Sequence, residues 1–320
     1  MSTNVPLWRS TPYHGEMDRP TSLDDQAQQV HPRVEQLLAS GRQALTRSLA
    51  HAGLSRKDVV AVPQWSSHCV LSAVSKICTP TPFNEVLRND HQCSGIVLYE
   101  QWGWAYDTQY LAQLVKTFSD QCIILDRVDT PGSTRSLLDG YSNCYQIWSL
   151  SKTLGFRNAG LAFSPNSQWL NPAIEGRTSD NDFIDSNLSL VSDNLLKTYA
   201  TYADEASAEL IKRGLLFDFW EFERAERITR AKILLGYIVD DFGLTDRLGM
   251  GSAPGIFPLA LDAPEKEKVH LLSRCAALNI EARRYRFNTS SNPLEPDYRE
   301  SVAVPIHSGV PLESLDQIFD

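Results

Sequence analysis

Ser149-Leu150-Ser151-Lys152-Thr153-Leu154-Gly155 is the stretch on which the fold turns. It continues Tyr145-Gln146-Ile147-Trp148-Ser149, which reads as a β-strand, so Lys152 falls just past a strand end. Upstream, Gln121-Cys122-Ile123-Ile124-Leu125 is a short continuous apolar run, the pattern of a strand buried on both faces of a parallel sheet, and Asp126 stands at its C-terminal end. Ligands of open α/β sheets gather at that end. Lys152 lies 26 positions after Asp126, which is compatible with neighbouring strands of one sheet. Taken singly, a lysine after a strand is usually solvated, and a strand-end aspartate is often a helix cap or a loop acid. The flanking serines, the glycine turn and the upstream aspartate together favour a shared site.

Desolvation in such a crevice disfavours the ammonium form and makes an amine a better nucleophile. An amine to hold an aldehyde and a carboxylate to keep a ring nitrogen protonated are the two groups that pyridoxal phosphate requires of a protein. Lys152 is then the candidate Schiff-base lysine and Asp126 the ring-nitrogen partner, while Ser149 and Ser151 offer hydroxyls to a phosphate. A phosphate site has its own signal in Ala39-Ser40-Gly41. These residues precede a helical pattern with Ala44, Leu45, Leu49 and Ala52 on one face, placing Gly41 at a helix N-terminus. Backbone N–H groups and the helix dipole favour an anion there, although a routine serine N-cap looks the same in sequence.

From about Glu35 to Gly160 the chain resembles the DegT family of fold type I pyridoxal phosphate enzymes, best known as nucleotide-sugar aminotransferases. Ser40-Gly41-Arg42-Gln43-Ala44-Leu45 stands where that family has its SGTAAL phosphate loop, and Asp58-Val59-Val60-Ala61-Val62-Pro63 where it has DEVIVP. Gly103-Trp104-Ala105-Tyr106-Asp107 then precedes a helix, followed by the aspartate strand and the lysine. Val304-Pro305-Ile306-His307-Ser308-Gly309-Val310-Pro311 resembles the family's closing LPLHPG-like stretch. The resemblance implies a cofactor-binding set of Asp126, Lys152, Ser149, Ser40, Gly41 and Arg42. It adds Asp129 at the position that normally reaches the cofactor's ring oxygen, and His68 as the preferred ring-stacking residue. The family's stacking aromatic aligns with Ser67, so His68 or Trp65 has to serve, and Trp65 also reads as core.

The departures are specific. The usual EDAAQ or EDAAH becomes Leu125-Asp126-Arg127-Val128-Asp129, SFxxTK becomes Ser149-Leu150-Ser151-Lys152, and GEGG becomes Arg157-Asn158-Ala159-Gly160. Arg42 replaces a threonine of the phosphate loop; a guanidinium there could pair with phosphate oxygens, meet a substrate carboxylate or face solvent. The resemblance also implies a homodimer with the active site at the interface. The family's partner-subunit asparagine has Asn187 and Asn194 as candidates, neither in a recognisable motif.

The fold expected is α/β, a mostly parallel doubly wound sheet with a small C-terminal α/β domain. Residues 1–30 read as a polar arm that wraps a partner or stays without order, 31–215 as the large cofactor domain, and 216–320 as the small domain. Within the large domain Ser164–Asp182 reads as loop and Phe183–Leu215 as helix. Arg224–Lys232 reads as an amphipathic helix with a solvated charged face, and Arg283-Arg284-Tyr285-Arg286 as a solvated strand face or an anion contact.

A net charge of −9 over 320 residues argues against a general nucleic-acid surface. No apolar run is long enough for a bilayer span and no signal pattern opens the chain, so a cytoplasmic location is expected. The six cysteines, Cys69, Cys78, Cys93, Cys122, Cys144 and Cys275, lack metal-ligand spacing and read as reduced core thiols; no metal site is expected.

The expected reaction is transfer of an amino group from an amino acid to a keto acceptor, with a keto-sugar nucleotide the first choice. Lys152 would be the general acid/base at Cα. The same residues could serve a racemase, dehydratase, decarboxylase or carbon–carbon bond-forming enzyme, since reaction choice depends on which Cα bond stands perpendicular to the ring. A homologue without turnover and an unrelated α/β protein are the other readings.

Overall fold

The computed structural model describes residues 5–8, 36–89, 92–132, 141–155, 160–163 and 216–319. The readings of Ser164–Asp182, Phe183–Leu215, Asn187, Asn194 and Arg157–Ala159 lie outside the described residues. Strands β1 (Gln36–Leu38), β2 (Val59–Val62), β3 (Thr79–Pro82), β4 (Gly95–Tyr99), β5 (Cys122–Asp126), β6 (Cys144–Ser149) and β7 (Gly160–Phe163) form one sheet in the order β1-β7-β6-β5-β4-β2-β3. From β3 to β6 neighbouring strands are parallel, while β7 and β1 add antiparallel pairs. Both apolar runs singled out in the sequence are therefore adjacent parallel strands.

Helices on both faces explain why β5 and β6 are buried at every position and not at alternate ones. Helix α1 (Gly41–His51) sets Ala44, Leu45 and Leu49 against Ile124 and Ile147 on one face. On the other, α3 (Phe83–Asn89) and α4 (Thr108–Thr117) set Phe83, Leu111 and Leu114 against Ile123 and Leu125. Each buried leucine or isoleucine contributes about 2 kcal/mol, so a polar substitution on either face of β5 would be costly. Register pairs Asp126 with Ile147, leaving Trp148 and Ser149 to extend beyond β5. The short helix α5 (Leu150–Thr153) turns Lys152 back over that edge.

A second, antiparallel sheet follows, in the order β8-β10-β9, built from β8 (Ile256–Leu259), β9 (Arg283–Asn288) and β10 (Tyr298–Pro305). It is accompanied by α6 (Leu216–Leu235), α7 (Leu244–Gly249), α8 (Glu265–Ala277) and α9 (Leu312–Asp316), taking α2 as His68–Ser75 in the first layer. Its core of Ile256, Phe257, Phe287, Val302 and Val304 is completed by Trp102 and Trp104 from the loop after β4, and by Leu7. No helix among the described residues is long and apolar enough to cross a membrane.

Three details depart from the sequence reading. The charged face of α6 is largely interior: Glu223, Arg227 and Arg230 are buried, because Arg227 reaches Glu223 and the Asp129 carbonyl while Arg230 pairs with Glu226. A 3.6-residue period marks which face turns inward but not that charges line it in pairs. Trp65 is no core residue: it is 52% exposed, with the Arg286 guanidinium 4.6 Å above its ring. Cys69 is exposed on α2, whereas the other five cysteines are buried free thiols. The Arg283, Arg284 and Arg286 side chains are solvated on β9, as expected.

Candidate active site

Asp126 ends β5 with 2% of its surface exposed, and its Oδ1 accepts the Val128 N–H at 3.1 Å. Burial pushes this carboxyl up to about 7, against the opposing pull of Lys152 and of the Val128 N–H; the Asp129 and Glu100 carboxylates add to the rise. A carboxyl in that condition lacks a full counter-charge, and a cationic ring nitrogen would supply one.

Lys152 lies beside it, its Nζ 2.9 Å from Asp129 Oδ1. Burial pulls the ammonium pKa down, but the carboxylates of Asp129 and Asp126 outweigh it, and the net direction is upward. Asp129 is gathered from several sides. The Trp8 indole Nε1–H donates to Oδ1 at 3.2 Å, the Tyr99 hydroxyl donates to Oδ2, and the Arg227 guanidinium donates to the backbone carbonyl at 2.7 Å. Burial and the adjacent Asp129 carboxylate hold the Tyr99 phenol well above its ordinary value, so it stays a donor.

The N-terminus of α1 abuts the same edge. A Cβ on Gly41 would stand 2.8 Å from Val128 Cγ1 and 3.3 Å from Ser149 Cβ, and one on Gly160 would stand 2.2 Å from the Ser40 carbonyl carbon. Only glycine lets the first turn of α1 approach this closely, which sets a helix N-terminus against Val128 and Ser149. Ser40 serves as the N-cap, its Oγ accepting the Gln43 N–H at 3.2 Å, and Ser149 Oγ shares a hydrogen bond of 2.7 Å with Ser151 Oγ. These residues fit a phosphorylated pyridine: an amine, a buried carboxyl seeking a cation, and a glycine-lined helix terminus converge on one strand edge.

Two expected members stand apart in their described contacts. Arg42 is exposed on α1, where with burial it lowers the Lys76 pKa to about 8. His68 is exposed as the first residue of α2, behind the Ser67 cap, with no ring contact to the Lys152 group among the described residues. Sequence reading missed Trp8, Tyr99, Trp102, Arg227 and His307, of which Trp8, Trp102, Arg227 and His307 line a narrow cavity with Lys152 and Asp129. Trp102 had one legible feature, its place beside Gly103. It takes φ 59° in the turn after β4, a left-handed conformation uncommon for a bulky residue, and is held there by stacking on Phe287 at 5.3 Å.

A family model described as "Putative PLP-dependent aminotransferase" matches residues 26–221, more than half of the chain. A solved structure of the same description, from Bacillus cereus, is similar at 14% identity and TM-score 0.61, covering 99% of this chain and 98% of the other. NtdA of Bacillus subtilis with bound cofactor PMP is similar at 14% identity and TM-score 0.58, over 88% of this chain and 71% of that one. A DegT DnrJ EryC1 StrS aminotransferase of Brucella abortus is similar at 14% identity and TM-score 0.55, over 89% and 84%. No curated protein matches the sequence.

Proposed function

Because the chain belongs to the family of pyridoxal phosphate-dependent aminotransferases, we propose that it moves an amino group from an amino-acid donor to a keto acceptor, with Lys152 as the residue that carries the cofactor. The observation that carries the assignment of residues is the Lys152 amine, 2.9 Å from Asp129 and electrostatically coupled to buried Asp126, at one sheet edge. Asp126 would face the ring nitrogen, the first turn of α1 with Ser149 would hold the phosphate, and Asp129 would stand near the ring oxygen. The cofactor supplies an electron sink for the pair released at the substrate Cα.

Lys152 has two tasks, holding the cofactor and then moving the proton at Cα. Asp129 keeps its ammonium in place between them. Tyr99, Trp8 and Arg227 fix Asp129 so that one carboxylate oxygen remains directed at Nζ. His68 would take part only if α2 meets a ligand or a second subunit, and Arg42 only if its exposed side chain turns toward the phosphate beside the first turn of α1. A homodimer, a cytoplasmic location, the division at residues 215/216 and a keto-sugar acceptor belong to the same reading. A similar solved structure described as a "Putative sugar aminotransferase", from Streptococcus pneumoniae, supports a sugar acceptor.

The test is covalent capture. Pyridoxal phosphate added to the protein should give the yellow absorption of an attached cofactor, and borohydride should fix it on the peptide containing Lys152. Lys152→Ala should lose the adduct, and amino donors should bleach the band of the wild type. An adduct on another lysine, or none, would overturn the assignment.

A further inference from the structure

Residues 5–8 are tied down along their length. Val5 bridges Ile280 in parallel, its N–H donating to the Asn279 carbonyl at 2.7 Å and its carbonyl accepting from Glu281 at 2.8 Å. The Pro6 carbonyl lies 3.0 Å from His307 Nε2, and since a carbonyl only accepts, Nε2 carries the proton. The Gly309 N–H lies 3.2 Å from His307 Nδ1, which is then the accepting nitrogen. Leu7 donates its N–H to Glu281 Oε2 at 3.1 Å and buries its side chain completely in the core of the smaller sheet. The indole of Trp8 is thereby delivered to the reaction centre. Its Nε1–H meets Asp129, and the Lys152 ammonium stands 5.3 Å from its ring centroid.

Beside Lys152 and Asp129 the cavity is walled by Leu7, Trp8, Trp102 and Ile256, with Arg227 and His307 the other long side chains. Both of these are committed. Arg227 is paired with Glu223 at 2.7 Å and bonded to the Asp129 carbonyl, and His307 is engaged by Pro6 and Gly309. Among the described residues, a substrate entering beside the amine thus meets an aromatic and aliphatic wall of fixed position, in which Arg227 already has a carboxylate.

We propose that Trp8 is a specificity-determining residue, whose indole limits the space beside the Lys152 amine and selects an amino donor with a small, uncharged side chain. The inference rests on the aminotransferase reading for its donor, but the size filter belongs to the chain itself. Trp8 acts through shape: the clamped backbone and the bond to Asp129 stop the ring from swinging away, so added bulk on the indole side of the amine meets a fixed ring, while the Lys152 side chain stays 35% exposed for approach from elsewhere.

The filter can be read without cofactor. In the cofactor-free full chain, Lys152 is labelled either by formaldehyde with cyanoborohydride, a small reagent, or by trinitrobenzenesulfonate, a bulky aromatic one, and the label is located by peptide mass spectrometry. Trp8→Ala should raise bulky labelling relative to small labelling at Lys152 by about tenfold or more, while Trp8→Phe stays near the wild type. Labelling of the other lysines should not change, which separates loss of the wall from general unfolding. An unchanged ratio at Lys152 in Trp8→Ala would overturn the proposal.

In the cofactor-loaded protein, single-turnover donor reactions should favour alanine over glutamate and phenylalanine, and Trp8→Ala should shift the ratio toward phenylalanine by a similar factor. A wild type preferring glutamate would overturn the donor class. Faster cofactor capture by Trp8→Ala with an unchanged donor ratio would overturn the specificity role in favour of a plug. Absence of any adduct on Lys152 in the wild type would instead sink the aminotransferase assignment, with the labelling ratio still deciding the size filter.

Discussion

Replacing Asp126 by asparagine should stabilise the cofactor-free protein, and more so at pH 8 than at pH 5. Burial holds the folded carboxyl at about 7 where an ordinary aspartate ionises near 3.8. Between those values the folded state binds a proton that the unfolded chain has released, so stability falls as pH rises through the window and stays at the lower level above it. Three pKa units correspond to about 4 kcal/mol, an upper bound because local relaxation and water entry relieve part of it. At pH 5 less than half of this loss has accrued. Asparagine keeps an oxygen for the Val128 N–H and carries no titrating group, so its advantage over the wild type should grow by roughly 2–3 kcal/mol between pH 5 and pH 8. With the entropy of unfolding of a chain this size, that is a difference of about 4 °C in the shift of Tm.

The assay is thermal unfolding of both proteins at the two pH values, with and without pyridoxal phosphate. Titrating groups that do not interact with Asp126 are common to both and cancel in the difference. Cofactor should invert the order at pH 8, since a protonated ring nitrogen gives the wild-type carboxylate the partner it lacks and gives asparagine no charge to pair. An Asp126→Asn advantage that is absent, or equal at both pH values, would refute the account of Asp126 as a buried carboxyl awaiting a cation. A cofactor effect of the same size in both proteins would refute its pairing with the ring.

Two further substitutions probe the surroundings. Gly41→Ala places a methyl 2.8 Å from Val128 Cγ1; it should cost about 1–3 kcal/mol in urea unfolding and weaken retention of the cofactor phosphate, read as the pyridoxal phosphate concentration needed for half-maximal absorption. Arg227→Met takes the guanidinium away from Glu223, a fully buried carboxylate that Ser308 also contacts; the loss should be about 3–5 kcal/mol, and the double variant Arg227→Met/Glu223→Leu should recover much of it. A double variant no more stable than the single would show that the pair matters through Asp129 and not through its own desolvation.

What the sequence disclosed, and what it withheld, divides along a physical line. The placement of Asp126 and Lys152 at one sheet edge was legible because each follows a short apolar run, and burial on both faces of a parallel strand leaves that composition no freedom. Gly41 was legible for a related reason: a glycine at a helix start needs a close approach to explain it, and Val128 and Ser149 provide one. Asp129 was singled out through its place in a motif, yet its contacts were not legible, because its partners Tyr99, Trp8 and Arg227 come from three distant parts of the chain. Their convergence is a property of tertiary packing that no local period records. The same holds for α6, whose pattern shows a charged helix but not that Glu223 and Arg227 compensate each other inside. Trp8 is the extreme case. It sits in a polar, proline-bearing segment with no periodicity, and its segment is held by main-chain bonds to Asn279 and Glu281 and by a histidine at position 307. Backbone pairing of that kind is nearly indifferent to side chains, so a residue placed against Lys152 by it leaves no signature in the amino-acid sequence.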